Sequence, residues 1–248
     1  MKTNKKQTVK KVKTTATKKK SNTSKNKAIY DFFVLDRSGS MAAIKESTIT
    51  GVNEYINTSK ADAKKNKIVS YFSMITFDHE FNTVYDYANI NDVEELTNEN
   101  FIPRGNTALH DATGRAIASL KEKLKGKESD KNVDVTITIF TDGQENSSRE
   151  YTHKTIAELI KQVQDEYKWT ITFIGAGNRD AVMQVAQNLN INVSNFSSYT
   201  ANAADTLNMM STMTHSRGLK TANYAAGVKT NIGYFTPTTT TTTTTHTK

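Results

Sequence analysis

The chain has 248 residues, with 33 Lys and Arg against 25 Asp and Glu, a formal net charge of +8 and no cysteine. The lack of cysteine excludes a disulfide framework and a thiolate zinc site. No apolar run approaches the roughly 20 residues of a membrane helix. No apolar stretch precedes Ala28 either, so we expect neither a membrane span nor a classical secretory signal.

The positive charge lies almost entirely at the N-terminus. Residues 1–27 contain eleven lysines and no acid, which leaves 22 basic and 25 acidic residues in the remainder. A segment with so few apolar side chains cannot offset the entropy lost on folding, so we predict a disordered Lys-rich arm. Two interpretations of the arm stay open: salt-sensitive attraction to nucleic acid or another polyanion, and a solvated tail.

Residues 28–218 alternate between the periodicities of strands and helices, which predicts one domain. The predicted strands cover 28–35, 68–78, 80–87, 133–140, 169–177 and 191–197. The predicted helices lie around 44–56, 108–124, 155–167, 179–189 and 202–216. This alternation predicts an α/β fold, a doubly wound and mostly parallel sheet with helices on both faces. The short link after the second strand predicts a hairpin, which places one antiparallel strand at an edge.

The C-terminal residues 219–248 form a predicted extension. It ends in a low-complexity segment with eight consecutive threonines, Thr238 to Thr245. Such a composition is typical of a disordered tail or a tether.

Polar residues stand where two predicted strands end and where a helix begins. Asp36, Ser38 and Ser40 follow the first strand, Asp142 follows the strand 133–140, and Thr107 precedes a helix. In open α/β sheets, ligands bind beyond the carboxyl ends of the strands. Two carboxylates and three hydroxyls suit Mg²⁺ or Mn²⁺, which prefer oxygen ligands. Few charges and several neutral hydroxyls would surround such an ion, so it should favour a further carboxylate from outside.

Three motifs, DRSGSM (36–41), GNTALHDA (105–112) and TDGQENSS (141–148), together resemble the metal-ion-dependent adhesion site (MIDAS) of von Willebrand factor A domains. The resemblance covers residues 28–218, and all the motif positions are intact. It implies that Ser38 and Ser40 coordinate the metal directly and that Asp36 does so directly or through water. It also implies that Thr107 and Asp142 begin or cease to coordinate the metal directly as the ligand state changes.

The resemblance implies a function in binding rather than catalysis. The last metal position would take a Glu or Asp from a protein partner. Ligand binding would also be coupled to movement of the last helix, around 202–216. Gly39 and Gly143 are expected to allow tight backbone turns.

Simpler roles compete for several of these residues. Thr107 could cap a helix, and Asp142 with Gly143 could form an ordinary turn. We expect Asp78 to serve a turn rather than a metal. Asp111 is expected to favour its helix N-terminus electrostatically.

Four residues border the predicted metal face. Glu145 and Asn146 are expected in a surface loop, within reach of a partner. For Arg37 and Arg104 we expect solvated side chains, with pairing to an acidic ligand as the alternative.

Two other functional classes remain open. One is a nucleic-acid-associated protein that acts through residues 1–27. The other is a metal-dependent hydrolase, although Ser38 occupies the place of the second carboxylate of an aspartyl phosphatase and no nucleophile elbow is present. The histidines show no ligand or triad spacing, and His110 is the one nearest Thr107 in sequence. The Lys/Asn/Thr-rich composition suggests a bacterial or phage protein, cytoplasmic or virion-associated.

Overall fold

The computed structural model describes residues 27–235, and the predictions for the remainder of the arm and for the threonine tail lie outside them. The strands are β1 (Ala28–Asp36), β2 (Val69–Phe77), β3 (Phe81–Asn89), β4 (Val133–Thr141), β5 (Thr170–Ala176) and β6 (Phe196–Tyr199). The helices are α1 (Lys45–Asn66), α2 (Leu109–Lys123), α3 (His153–Glu166), α4 (Arg179–Asn188) and α5 (Ala203–Ala225).

The strands form one mixed sheet in the order β3-β2-β1-β4-β5-β6. Within the described chain β2 and β3 pair antiparallel, with β3 at the edge, and the other neighbours pair parallel. The predicted fold class is therefore confirmed. The chain winds outward from β1 in one direction and from β4 in the other. The carboxyl ends of β1 and β4 thus define the topological switch point, where α/β sheets bind ligands.

Alternating side chains of β1 fill two core layers. Phe32 and Val34 pack towards α2, α3 and α4, while Phe33 and Leu35 pack towards α1 and α5. All nine residues of the neighbouring β4 are buried. A central parallel strand covered on both faces requires this burial, and it fixes the strand ends that carry the candidate site.

Two helices extend beyond their predicted ends. The helix predicted around 44–56 continues to Asn66, and it ends where Lys67 adopts a left-handed conformation (φ 53°) and donates to two helix carbonyls. The last helix continues past 216 to Ala225, with Tyr224 only 2% exposed. Its apolar spacing alone did not reveal this last part.

The strand predicted at 191–197 is displaced towards the C-terminus. A 3₁₀ turn occupies Val193–Asn195, and β6 begins only at Phe196. The Asn192 side chain accepts a hydrogen bond from the Ser194 amide at 2.9 Å. This local bond stabilises the turn in competition with the sheet.

Residues beyond the predicted domain end at 218 pack on the same core. Tyr234 is buried against the α1/α5 layer, and its amide donates to Asn195 Oδ1 at 3.1 Å. The boundary at 218 stays a prediction. None of the helices between residues 27 and 235 is long and apolar enough to cross a membrane.

Candidate metal centre

Asp36 lies at the end of β1 with both carboxylate oxygens engaged. Oδ1 accepts from the Ser38 amide at 2.6 Å, and Oδ2 accepts from the Thr141 hydroxyl at 2.5 Å. The first bond folds the loop back beneath the strand end, and the second ties it to the end of β4. Asp36 is fully buried, so the fold fixes its position before any ligand arrives.

The two carboxylates of the site are electrostatically costly in their charged forms. Burial raises the pKa of Asp36 to about 6, against the lowering effect of the bonds from Thr141 and Ser38. Burial likewise raises the pKa of Asp142, partly opposed by the bond from Ser40. A cation beside these carboxylates would favour their charged forms.

Serine hydroxyls connect the loop after β1, here called the first loop, to the loop after β4, here called the third loop. Ser38 Oγ and Ser40 Oγ lie 3.1 Å apart, and Ser40 donates to Asp142 Oδ1 at 2.7 Å. Ser38 is buried, whereas Ser40 is exposed. The arrangement is therefore open to solvent on the side of Ser40.

The loop that precedes α2, here called the second loop, brings Thr107 to the same place. Its backbone runs beside the first loop, with the Gly39 amide donating to Gly105 O at 3.1 Å and the Arg104 amide to Arg37 O at 2.7 Å. Thr107 is only 3% exposed. The N-cap position of α2 is held by the next residue, an alanine without a side-chain cap, so helix capping does not explain Thr107.

The position of Gly143 shows that these oxygens converge. A Cβ built there would lie 2.9 Å from Thr107 Oγ1 and 3.6 Å from both Asp36 Oδ2 and Ser38 Oγ. Atoms from all three loops therefore surround one small space that the missing side chain leaves open. We call Asp36, Ser38, Ser40, Thr107 and Asp142 the oxygen cluster.

The oxygen cluster fits a small hard cation by its chemistry. Between residues 27 and 235, no group of three or more His, Cys, Asp or Glu side chains is arranged to hold a metal. An ion here would depend on hydroxyl oxygens together with two carboxylates. Mg²⁺ and Mn²⁺ accept such donors, and Mg²⁺ commonly keeps several waters.

Two acids hold the third loop against the start of α2, a role that the sequence did not indicate. Asp111 lies in the first turn of α2 as expected, and it also accepts the amides of Arg149, Glu150 and Tyr151 at 2.7 to 2.9 Å. Glu145 accepts the His110 amide at 2.9 Å. Each acid bridges segments about 35 residues or more apart, which no local pattern reveals.

Asn146 is also a structural residue, although its surface position was predicted correctly. Its Oδ1 accepts from the Thr107 amide at 2.9 Å, and its own amide donates to Thr107 O at 3.0 Å. These two hydrogen bonds to the backbone hold the second loop against the third. Thr107 is thus positioned by neighbours on both sides.

Arg37 is not a solvated side chain, contrary to expectation, whereas Arg104 is exposed as expected but also pairs with acids. Arg37 is only 9% exposed, and its Nε lies 3.2 Å from Asp78 Oδ2. Arg104 Nε donates to the same oxygen at 2.9 Å, and Arg104 also pairs with Glu80. Asp78 meanwhile accepts the Glu80 amide at 2.6 Å, as a turn residue does. A buried carboxylate thus joins the first and second loops.

The model of the von Willebrand factor type A domain family matches residues 32–217. The chain belongs to this family, whose domains often mediate protein–protein adhesion. No match was found among curated proteins.

Several solved structures are similar to this chain at low sequence identity. The pilus adhesin SpaC from Lactobacillus rhamnosus GG, in an open conformation, is 12% identical with a TM-score of 0.60, over 78% of this chain and 30% of that one. A von Willebrand factor type A protein from Catenulispora acidiphila is 13% identical with a TM-score of 0.50, over 80% and 43%. Proximal thread matrix protein 1 from the mussel byssus, with a zinc-occupied MIDAS motif, is 15% identical with a TM-score of 0.49, over 78% and 46%. The chain spans less than half the length of each.

Proposed function

We propose that this domain binds a protein partner through a divalent cation, Mg²⁺ or Mn²⁺, held by the oxygen cluster. The observation that carries the proposal is the space beside Gly143, where oxygens of Asp36, Ser38 and Thr107 converge from separate loops. Family membership supports it, since these domains often act in adhesion.

The partner would supply an Asp or Glu side chain. Three of the five donors are neutral hydroxyls, and the two carboxylates at most balance the 2+ charge of the ion, so the ion can still accept an anionic ligand in place of water. When bound, the cation supplies the affinity for that carboxylate, and the surrounding loops select among partners. Ser40 and Asp142 stand at the open side, where a partner would approach.

The hydrogen bonds favour binding over catalysis. The Ser40 hydroxyl donates to Asp142. This is not the arrangement of a catalytic serine, whose hydroxyl is activated by a histidine. Both Asp36 oxygens are already engaged by Ser38 and Thr141. Metal-dependent release of phosphate from phosphoesters, lost in Asp36→Ala, would contradict this proposal.

Calorimetric titration tests the metal site directly. Mg²⁺ and Mn²⁺ should bind the wild-type protein and fail to bind Asp142→Ala, because that variant loses a carboxylate of the oxygen cluster. Asp180→Ala is the matched control, since it removes an exposed acid on α4 outside the oxygen cluster. Equal curves for wild type and Asp142→Ala would overturn the assignment.

A further inference from the structure

A cleft of about 420 Å³ opens directly beside the oxygen cluster. It lies between the start of α2, the loop after β4 and the side of α4 that carries Val182 and Val185. Thr141, Asp142 and Gly143 line it, and Asp142 is itself a member of the oxygen cluster. A ligand at the ion would therefore stand at the mouth of this cleft.

The cleft is mainly apolar away from the oxygen cluster. Its apolar lining includes Leu109, Phe173, Val182, Val185 and Leu189. Val182 is 5% exposed and lies at depth, whereas Val185 is 38% exposed and lies at the rim. Ala181 is exposed one turn earlier on α4 and completes that rim. A cleft of this size with a largely apolar wall has the character of a ligand site.

The polar groups of the cleft add no strong positive charge. His110 and His153 stand edge to face, with ring centroids 5.6 Å apart. Burial lowers the pKa of His110, with His153 acting in the same direction against the opposing effect of Glu145. The Glu145 carboxylate is occupied by the Ser148 hydroxyl and by backbone amides. No lysine or arginine lines the cleft within the described chain.

The site therefore has two adjacent parts, the charged oxygen cluster and the largely apolar cleft. The ion attracts an anion, and the cleft beside it offers a largely apolar surface that a large uncharged side chain can fill favourably. We propose that the partner's acidic residue is flanked by a large aliphatic or aromatic residue, whose side chain enters the cleft while the carboxylate reaches the ion. This inference rests on the proposed function. Neighbouring residues of a peptide are about 3.8 Å apart at Cα, and the two sites are adjacent because Asp142 belongs to the oxygen cluster and lines the cleft.

Three capped peptides test the inference by amide NMR in saturating Mg²⁺. The probes are acetyl-Leu-Glu-Leu-amide, acetyl-Ser-Glu-Ser-amide and acetyl-Leu-Gln-Leu-amide, each titrated to about 10 mM because contacts this small give weak binding. Leucine on both sides of the acid makes the result independent of peptide direction. The leucine peptide should bind about tenfold more tightly than the serine peptide, since burying a large part of one leucine is worth that factor. The glutamine peptide should not bind.

A filled cleft and a matched control separate the cleft from the metal site. Ala181→Phe places a ring at the rim and should abolish the preference for leucine while the serine peptide binds as before. Gln187→Phe adds the same ring at an exposed position of α4 outside the cleft, and should keep the preference. Both positions are exposed, so neither variant disturbs the core.

The outcomes are distinguishable. If both glutamate peptides shift the amides of Ser38 and Gly143 equally in Mg²⁺ and leave Val182 and Val185 unaffected, the inference fails and the proposed function stands. Persistence of the leucine preference in Ala181→Phe would also overturn the inference. If neither glutamate peptide shifts the Ser38 and Gly143 amides, the proposed function fails and the inference fails with it.

Discussion

Gly143 contributes by the absence of a side chain rather than by backbone freedom. We expected Gly39 and Gly143 to permit tight turns, but neither is among the described residues with positive φ. The Gly143 backbone is open to any residue, yet a methyl group there would stand among the oxygens of Thr107, Asp36 and Ser38. Its importance is therefore steric.

The variant Gly143→Ala should weaken Mg²⁺ binding about tenfold or more, as expected for a perturbed ligand environment. The added methyl group would lie 2.9 Å from Thr107 Oγ1, which is too close without a shift of the loop. Gly39→Ala is the matched control, because its methyl group meets only Gly105 O at 3.6 Å, an ordinary contact. Calorimetry measures both, and equal losses in the two variants would contradict a steric role for Gly143.

The burial of His110 leads us to expect that its contribution to the free energy of unfolding depends on pH. Burial lowers its pKa, with the His153 ring acting in the same direction, although Glu145 and Asp111 oppose the shift. The folded state therefore binds this proton less readily than the unfolded chain. The His110 contribution is fully present above the unfolded pKa of about 6.5 and is lost as the pH falls towards the lowered folded value.

Urea unfolding near pH 7.5 and pH 5.5 tests this expectation by comparing the wild type with His110→Gln, because the raised pKa of Asp36, about 6, acts in the opposite direction in this window and is common to both proteins. On acidification the wild type should lose more stability, or gain less, than His110→Gln, in which the titrating imidazole is gone. Measurements in a chelator keep metal binding out of the comparison. An unchanged pH dependence in the variant would show that His110 does not contribute.

At the scale of elements, the loops after β1 and β2 and before α2 are joined through one buried acid. Asp78 meets Arg37 and Arg104 with its side chain, and its carbonyl accepts the Ala108 amide at 2.9 Å. The candidate site therefore depends on a residue outside the oxygen cluster. The Asp78 carboxylate is itself engaged by the two arginines, with Oδ2 3.2 Å from Arg37 Nε and 2.9 Å from Arg104 Nε.

The variant Asp78→Asn should destabilise the protein by about 3 kcal/mol, because it leaves the buried Arg37 without its counter-charge. Mg²⁺ affinity should fall about tenfold as well, since the loop that carries Thr107 loses an anchor. Glu80→Gln is the control: it removes only the exposed part of the Arg104 pairing and should leave both quantities close to wild type. Urea unfolding and calorimetry measure them. Unchanged metal affinity in a folded Asp78→Asn would refute the positioning role.

At the scale of the whole molecule, the end of α5 is held to the sheet by buried groups. Arg217 pairs with Asp31 of β1 and Asp62 of α1, and Lys220 pairs with Asp134 of β4. Tyr234, beyond the helix, is buried in the same layer. These contacts extend the packed core to both sides of the predicted boundary at 218.

A chain ending at residue 218 should therefore be less stable than one ending at 235 by about 3 kcal/mol or more, because Asp134 would remain buried without Lys220. The shorter chain also loses the buried rings of Tyr224 and Tyr234. Thermal and urea unfolding of the two chains measure the difference. Equal stability would establish 218 as the domain end.

Residues 1–26 and 236–248 lie outside the described structure, so their roles stay predictions. Three predictions therefore remain: polyanion binding by the Lys-rich arm, the function of the threonine tail, and a cytoplasmic or virion-associated location. Deletion of the arm distinguishes the two functions that the sequence left open. Metal-dependent capture of a partner should survive the deletion, whereas polyanion binding should not.

The sequence by itself determined the fold class and the members of the candidate site. Alternating periodicities defined the strands and helices, and the motifs around Asp36, Thr107 and Asp142 predicted the members of the oxygen cluster, because both signals are local. The bonds that Asp78, Asp111 and Glu145 make to distant loops were decided only by the tertiary structure. The extent of α5 and the apolar cleft were decided in the same way. They depend on which surfaces meet across the sheet, and residue spacing along the chain carries no record of that.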